Sequence, residues 1–211
     1  AYTATGTALT LSANTASTDT MYCIFLGRAI QSTVPSTNSI TPAMLGDTTV
    51  TALSAGTGIT GGTGTVYRSA VEKLGNIYHT KILIDLTGLA SSGSGDIIGK
   101  AATANCHIGQ ITAAVNGTVL SGKMTCMEAP AGGDPDINLW YADEATGTED
   151  AAITGLSNQT QMCDSGDLAL GSVISIPTPP AADKYMYMVT GAATDANYTA
   201  GKILIEFFGY V

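Results

Sequence analysis

The sequence predicts an all-β protein, an antiparallel β-sandwich that is jelly-roll-like and has an extended N-terminal arm. Three observations support this prediction. Short apolar or alternating segments recur, turn-forming residues separate them, and threonine and serine outnumber the charged residues. Charged residues make up only 12% of the chain, against about 25% in an average globular protein. At 211 residues, the chain can bury the core of one large domain.

Residues 1–20 are predicted to form the arm, because Thr or Ser alternates there with small apolar residues and only one charge occurs. A segment with few large side chains recovers its lost backbone entropy mainly by pairing with another sheet. We expect this arm to exchange between subunits or to lie on a partner. The alternative is an ordinary first strand of the same domain. The residues expected to make the contact are Thr3, Thr5, Thr7, Leu9 and Leu11.

Residues 21–211 are predicted to form a single sandwich domain. The apolar run Met21–Ile30 is typical of a buried strand, and a Ser/Thr/Gly-rich loop follows at about 31–65. Further strands, separated by turn residues, are predicted at Val66–Leu74, Ile77–Thr87, His107–Val115, Val119–Ala129, Ile137–Ala142, Val173–Pro177, Tyr185–Thr190 and Lys202–Val211.

Two local patterns refine this prediction. The segment Lys81–Leu86 is similar to Lys202–Phe207, with a Lys at the entry and an acid late in each strand. We favour convergence of two core strands over duplication, because the flanking residues differ. The segment Gly147–Leu156 is predicted to be a short helix, with Thr148 as its N-cap.

The charge distribution excludes several partners. The net charge is −9, and the stretch from Met124 to Asp183 contains ten acids without a Lys or Arg. Binding to nucleic acid or to an anionic membrane needs clustered basic residues, so neither is expected. No apolar run approaches the roughly 20 residues that span a bilayer. The first residues lack the basic start and apolar core of a signal peptide, although export with a signal already removed stays open.

Four cysteines occur, at Cys23, Cys106, Cys126 and Cys163. An even number permits two disulfides in three connectivities. Their spacings are wide and no C-x-x-C pair occurs, which argues against a zinc site. Because a chain of this length can build a core without cross-links, we expect free, buried thiols.

The residue types that enzymes use are sparse. The two histidines are His79 and His107, and no G-x-S-x-G elbow occurs. Cys106 and His107 are sequence neighbours, and neighbours on a strand point to opposite faces, so they are not a catalytic dyad. We therefore expect a protein that is not an enzyme and has no catalytic residue, cofactor site or metal site.

Acidic residues raise the question of calcium. The segment Asp134–Asn138 begins like an EF-hand loop, but Leu139 and Ala145 stand where the turn glycine and the bidentate Glu belong. An irregular calcium site could use four other acids, Asp143, Glu144, Glu149 and Asp150. We favour a solvated acidic loop, because carboxylates are mostly exposed in proteins.

Four stretches resemble a recurrent pattern in virion proteins of tailed bacteriophages. They are Val71–Ile77 leading to Ile84–Leu89, Asn105–Thr112, Glu128–Ile137 and Tyr198–Glu206. The resemblance covers roughly residues 66–211, and residues 1–65 do not contribute to it. It implies a small β-rich structural protein of the virion and carries over no active site.

The resemblance implies a capsid decoration (cement) protein, or another minor head protein, located on the capsid surface and assembled in the host cytoplasm. Its expected partner is the major capsid protein, bound across capsomers, and a homo-oligomer is expected, most simply a trimer. One alternative is a carbohydrate-binding or adhesion module such as a head fibre or tail component, with Trp140 and Tyr141 as a glycan platform. Another alternative is a hydrolase that uses two carboxylates.

Overall fold

A computed structural model describes residues 2–6, 8–18, 20, 50–60 and 65–211. Antiparallel strands dominate it, which confirms the all-β prediction. The strands are β1 (Tyr2–Thr5), β2 (Ala8–Leu11), β3 (Val50–Thr51), β4 (Tyr67–Leu74), β5 (Ile77–Asp85), β6 (Ala90–Ser91), β7 (Gly109–Ile111), β8 (Thr118–Ala131), β9 (Ile137–Ala142), β10 (Thr160–Cys163), β11 (Val173–Ser175), β12 (Lys184–Thr190), β13 (Ala196–Asn197) and β14 (Ala200–Tyr210). The helical elements of the described part are α1 (Ala113–Asn116) and 3-10 turns at Thr57–Ile59 and Ile153–Gly155.

The chain divides into two compact units, Ala1–Ser39 and Ile40–Val211. In the first unit, β1 and β2 form an antiparallel hairpin that pairs Tyr2 with Leu11 and Thr5 with Ala8. Part of the segment predicted to be an arm therefore pairs its backbone within its own hairpin. Its contact with a partner stays a prediction.

The structure describes four of the five residues expected to make that contact. Thr3 and Thr5 are exposed, and Leu11 is 37% exposed. Leu9 pairs with Ala4 through its backbone. Thr7 lies outside the described residues, as does the strand predicted at Met21–Ile30.

The second unit contains two larger antiparallel sheets. One has six strands in the order β11-β8-β14-β5-β4-β3, and the other has four in the order β10-β9-β12-β7. Strands β13 and β6 form a small ribbon. The architecture is that of a β-sandwich. The jelly-roll part of the prediction is not confirmed, since that fold has eight strands in two Greek keys.

The main core lies between the two larger sheets. The six-stranded sheet contributes Ile82, Ile84, Ile203, Ile205 and Phe207, all fully buried. The four-stranded sheet contributes Leu139, Met186 and Met188 to the same cluster. Alternation along β5 and β14 places these side chains on one face of their sheet, as the period of two in the sequence predicts.

The two similar segments noted in the sequence are neighbours in the six-stranded sheet. Strands β5 and β14 pair antiparallel, with Lys81 opposite Glu206 and Lys202 opposite Asp85. Antiparallel pairing reverses one strand relative to the other, so the Lys at the entry of each strand lies opposite the acid late in its partner. Of the two opposed pairs, Lys202 and Asp85 approach to 3.7 Å, whereas Lys81 bonds to Glu72 of β4 instead of Glu206.

Part of the predicted Gly-rich loop is built into the core. Leu53 and Ile59 are buried, and two glycine amides bond to the irregular segment that precedes β7. The N–H of Gly56 donates to the carbonyl of His107 at 2.8 Å, and that of Gly58 donates to Asn105 at 3.0 Å. These long-range bonds hold residues 56–58 against residues 105–107.

Two of the element predictions are wrong. The segment Gly147–Leu156 is not a helix, apart from the short 3-10 turn within it. Its backbone bonds to residues far away in the sequence, such as Gly147 O accepting from Cys106 N at 2.8 Å. The strand predicted at His107–Val115 shortens to β7, because α1 begins at Ala113. Strand β10 was not predicted. Tertiary pairing overrides local preference at these three places.

Candidate interaction surface

The two larger sheets differ in how their faces are covered. The four-stranded sheet packs one face on the main core. Its other face, with Tyr187 and Val189, packs on loop residues Ile97, Cys106 and Ile153 in a second buried cluster. The outer face of the six-stranded sheet instead carries half-buried and exposed side chains. Within the part of the chain that the structure describes, this outer face is therefore the candidate sheet surface for contact with another protein.

One half of this outer face is charged but internally paired. The Glu206 carboxylate lies 3.0 Å from Lys123 Nζ and 3.0 Å from His79 Nε2. Burial by itself raises the pKa of Glu206, but the bonds to Lys123 and His79 outweigh it and hold that pKa below its usual value. Lys81 Nζ bonds to Glu72 at 2.8 Å.

The same pattern continues toward the other end of β14. Lys202 pairs with Glu128, and its Nζ lies 3.7 Å from Asp85. The pKa of Asp85 is lowered, because its bonds from Thr87 and the charge of Lys202 outweigh its desolvation. Ion pairs at a protein surface add little to stability. Their main effect is a surface with little unpaired charge to desolvate when a partner binds.

The other half of the outer face is apolar. We define the apolar end as Leu74, Ile77, Leu120, Phe208 and Tyr210, whose exposed fractions run from 39% to 76%. Tyr210 lies opposite Ile77, which in turn lies opposite Leu74. Leu120 sits at the bulge of β8 beside Phe208. Grouped exposed apolar side chains are typical of protein interaction sites.

His79 joins the two halves. Its ring stacks on Phe208, with 4.5 Å between the ring centroids and 18° between the planes. Its Nε2 also contacts Glu206. Alternation along β5 places His79 on the outer face, between the inward-facing Tyr78 and Thr80. The apolar end was not predicted from the sequence, because Phe207 and Phe208 are equally hydrophobic and either could belong to the core.

His107 and Cys106 occupy different environments. The His107 ring meets Tyr185 edge-on at 5.1 Å and lines a groove that includes Leu53 and Gln110. Burial lowers the pKa of His107. The thiol of Cys106 lies in the second buried cluster and donates to the carbonyl of Thr103 at 3.0 Å. Burial raises the pKa of Cys106 to about 11, which opposes formation of a nucleophilic thiolate.

The thiols give a direct prediction. Cys106, Cys126 and Cys163 are free and buried, and Cys23 lies outside the described residues. Burial raises the pKa of Cys163 to about 11 as well, so roughly one such thiol in a thousand is ionised at pH 8. Ellman's reagent should react with these buried thiols at least tenfold more slowly than with free cysteine. In denaturant it should count four thiols, and a count of zero would contradict the prediction.

The residues predicted to form a glycan platform do not lie side by side. Trp140 and Tyr141 are both half-buried and follow each other on β9. Trp140 packs against the second buried cluster, whereas Tyr141 packs against the main core. A sugar platform needs aromatic rings exposed on one surface. This arrangement does not favour the carbohydrate-binding alternative.

The four acids of the irregular calcium hypothesis have separate partners. Asp143 bonds to Lys184 and Asn158, and Asp150 bonds to Ser92. Glu144 accepts a hydrogen bond from the N–H of Ser157, and Glu149 accepts one from the N–H of Ala102. These carboxylates fasten loops and do not converge on one point. Among the described residues, no three His, Cys, Asp or Glu side chains are arranged to hold a metal ion together.

Comparison of the chain with protein-family models, with curated proteins and with solved structures finds no match. Within the described residues, no helix has both the length and the apolar character that crossing a membrane requires.

Proposed function

We propose that this chain is a non-enzymatic structural protein of a tailed-bacteriophage virion, a capsid decoration protein that stabilises the shell by binding across capsomers. The observation that carries the proposal is the apolar end, which is exposed on the six-stranded sheet beside charges that neutralise one another. The resemblance of residues 66–211 to virion proteins supplies the biological setting.

The contact works by burial and needs no chemistry. Apolar surface removed from water contributes about 25 cal/mol per Å², and the paired charges next to it reduce the cost of bringing a partner close. The partner in this proposal is the major capsid protein. Each contact is weak, but a homo-oligomer, most simply a trimer, presents several copies to a repeating shell and so gains avidity. The protein is then located on the capsid surface after assembly in the host cytoplasm.

The double variant Ile77→Ser/Tyr210→Ser tests this proposal. Both side chains are about half exposed, at 51% and 53%, so their loss should lower the melting temperature by only about 5 °C and leave the protein folded. Binding should fall at least tenfold, which corresponds to about 1.4 kcal/mol. The measurement is co-sedimentation with capsids that lack the protein.

Leu170→Ser is the matched control. Leu170 is 73% exposed but lies beside Met127 and Lys202, away from the apolar end. The control should bind capsids as the parent does. Equal binding by the parent and the double variant would show that the apolar end is not the interface.

A further inference from the structure

Two loops bring four aspartates together at one end of the sandwich. The backbones of Asp136 and Asp167 form an isolated antiparallel bridge. Leu168 N donates to Pro135 O at 3.0 Å, and Ile137 N donates to Ser165 Oγ at 3.2 Å. The aspartates brought close are Asp134, Asp136, Asp164 and Asp167.

Asp134 is fully buried and held from several sides. Its N–H donates to Ser91 Oγ at 3.0 Å, and its carbonyl accepts from the hydroxyl of Tyr198 at 2.7 Å. Its Oδ1 accepts from Asp136 N at 2.9 Å. Its Oδ2, however, is buried and has no hydrogen-bond partner, and neither has Oδ1 of Asp136. Two buried carboxylate oxygens in one cluster are thus left without a donor.

No basic side chain among the described residues forms an ion pair with these four aspartates. The pKa of Asp136 is raised by desolvation and then by the charges of Asp164, Asp134 and Asp167. Burying carboxylate oxygens without a partner is costly. A bound cation would remove both the repulsion and the missing contacts.

We propose that Oδ2 of Asp134 and Oδ1 of Asp136 bind a calcium ion. Calcium accepts oxygen ligands in irregular geometry, whereas magnesium demands a near-ideal octahedron. Because no third acidic side chain is placed to complete the set, water and uncharged oxygens supply the other ligands. A site with two carboxylates belongs to the weak class, with Kd about 10⁻⁴–10⁻³ M.

Gly191 packs directly against the Asp136 carboxylate and leaves no room for a side chain. Its N–H donates to Asp136 O at 2.7 Å, and a Cβ at this position would lie 2.1 Å from the carboxyl carbon of Asp136. A side chain here would displace the Asp136 carboxylate. Gly191→Ala is therefore a second variant that should lose the ion while keeping all four aspartates.

The first experiment measures the melting temperature of the full chain in EDTA, in 10 mM CaCl₂ and in 10 mM MgCl₂. The parent should gain about 4 °C in CaCl₂ and less in MgCl₂. Asp136→Asn should gain nothing, whereas the control Asp183→Asn, an exposed acid elsewhere, should gain as the parent does. No gain by the parent, or an equal gain in MgCl₂, would overturn the proposal.

A second experiment does not depend on stability. Terbium replaces calcium at oxygen sites, and the Tyr198 ring is close enough to Asp134 to sensitise its emission. Emission excited through tyrosine should appear when TbCl₃ is added to the parent and should be displaced by CaCl₂. It should be lost in Asp136→Asn and in Gly191→Ala. Emission of parental strength in both variants would show that the ion binds elsewhere.

Discussion

Phe207→Ala is expected to lower the free energy of unfolding by about 3–5 kcal/mol, the range for truncating a buried aromatic residue. Phe207 is fully buried on β14, between Thr80 of β5 and Gly122 of β8. Its ring covers Gly122, where a Cβ would lie 2.6 Å from the Phe207 Cδ1 atom. Alanine would leave a cavity between two sheets that cannot close without moving paired strands. Urea denaturation measures the change.

Phe208→Ala is the matched control, because it removes the same side chain one residue later on the opposite face. Phe208 is 39% exposed and stacks on His79. Its loss should cost less than about 1.5 kcal/mol but should weaken capsid binding if the proposed interface is right. Similar losses of stability in the two variants would contradict the assignment of the two faces of β14.

Gly56→Ala is expected to cost about 2–3 kcal/mol, the upper part of the range for overpacking. A Cβ on Gly56 would lie 1.8 Å from the carbonyl oxygen of Asn105 and 2.8 Å from Cδ2 of His107. The nearer atom belongs to the backbone, so relief requires the two segments to separate. Separation would also break the bond from Gly56 N to His107 O. Thermal and urea unfolding both report the loss.

Gly155→Ala is the control for this prediction. Gly155 ends the 3-10 turn Ile153–Gly155, and no atom lies within 4 Å of a Cβ built there. Its substitution should change stability by less than about 0.5 kcal/mol. If Gly56→Ala proved equally harmless, the close approach of residues 56–59 to residues 105–107 would not be a feature of the folded protein.

The sequence by itself determined the class of fold and the position of several strands. Alternation in β5 and the apolar runs of β9 and β12 gave correct elements, because a strand buried on one or both faces must show that pattern locally. Strand β9 begins and ends where the sequence predicts. The free state of Cys106 and Cys126 also followed from chain length and spacing.

Only the tertiary structure decided which surfaces and loops come together. Phe207 and Phe208 are chemically alike, and only the pairing of β14 with β5 and β8 buries one and exposes the other. The pairing of Asp136 with Asp167, which gathers the aspartates, joins residues 31 positions apart in the chain. A local pattern records which side chains share a face, whereas the identity of their neighbours depends on contacts between distant segments. For this reason the fold class and the acidic segment Asp134–Asn138 could be recognised in the sequence, whereas the apolar end and the approach of Asp164 and Asp167 to that segment could not.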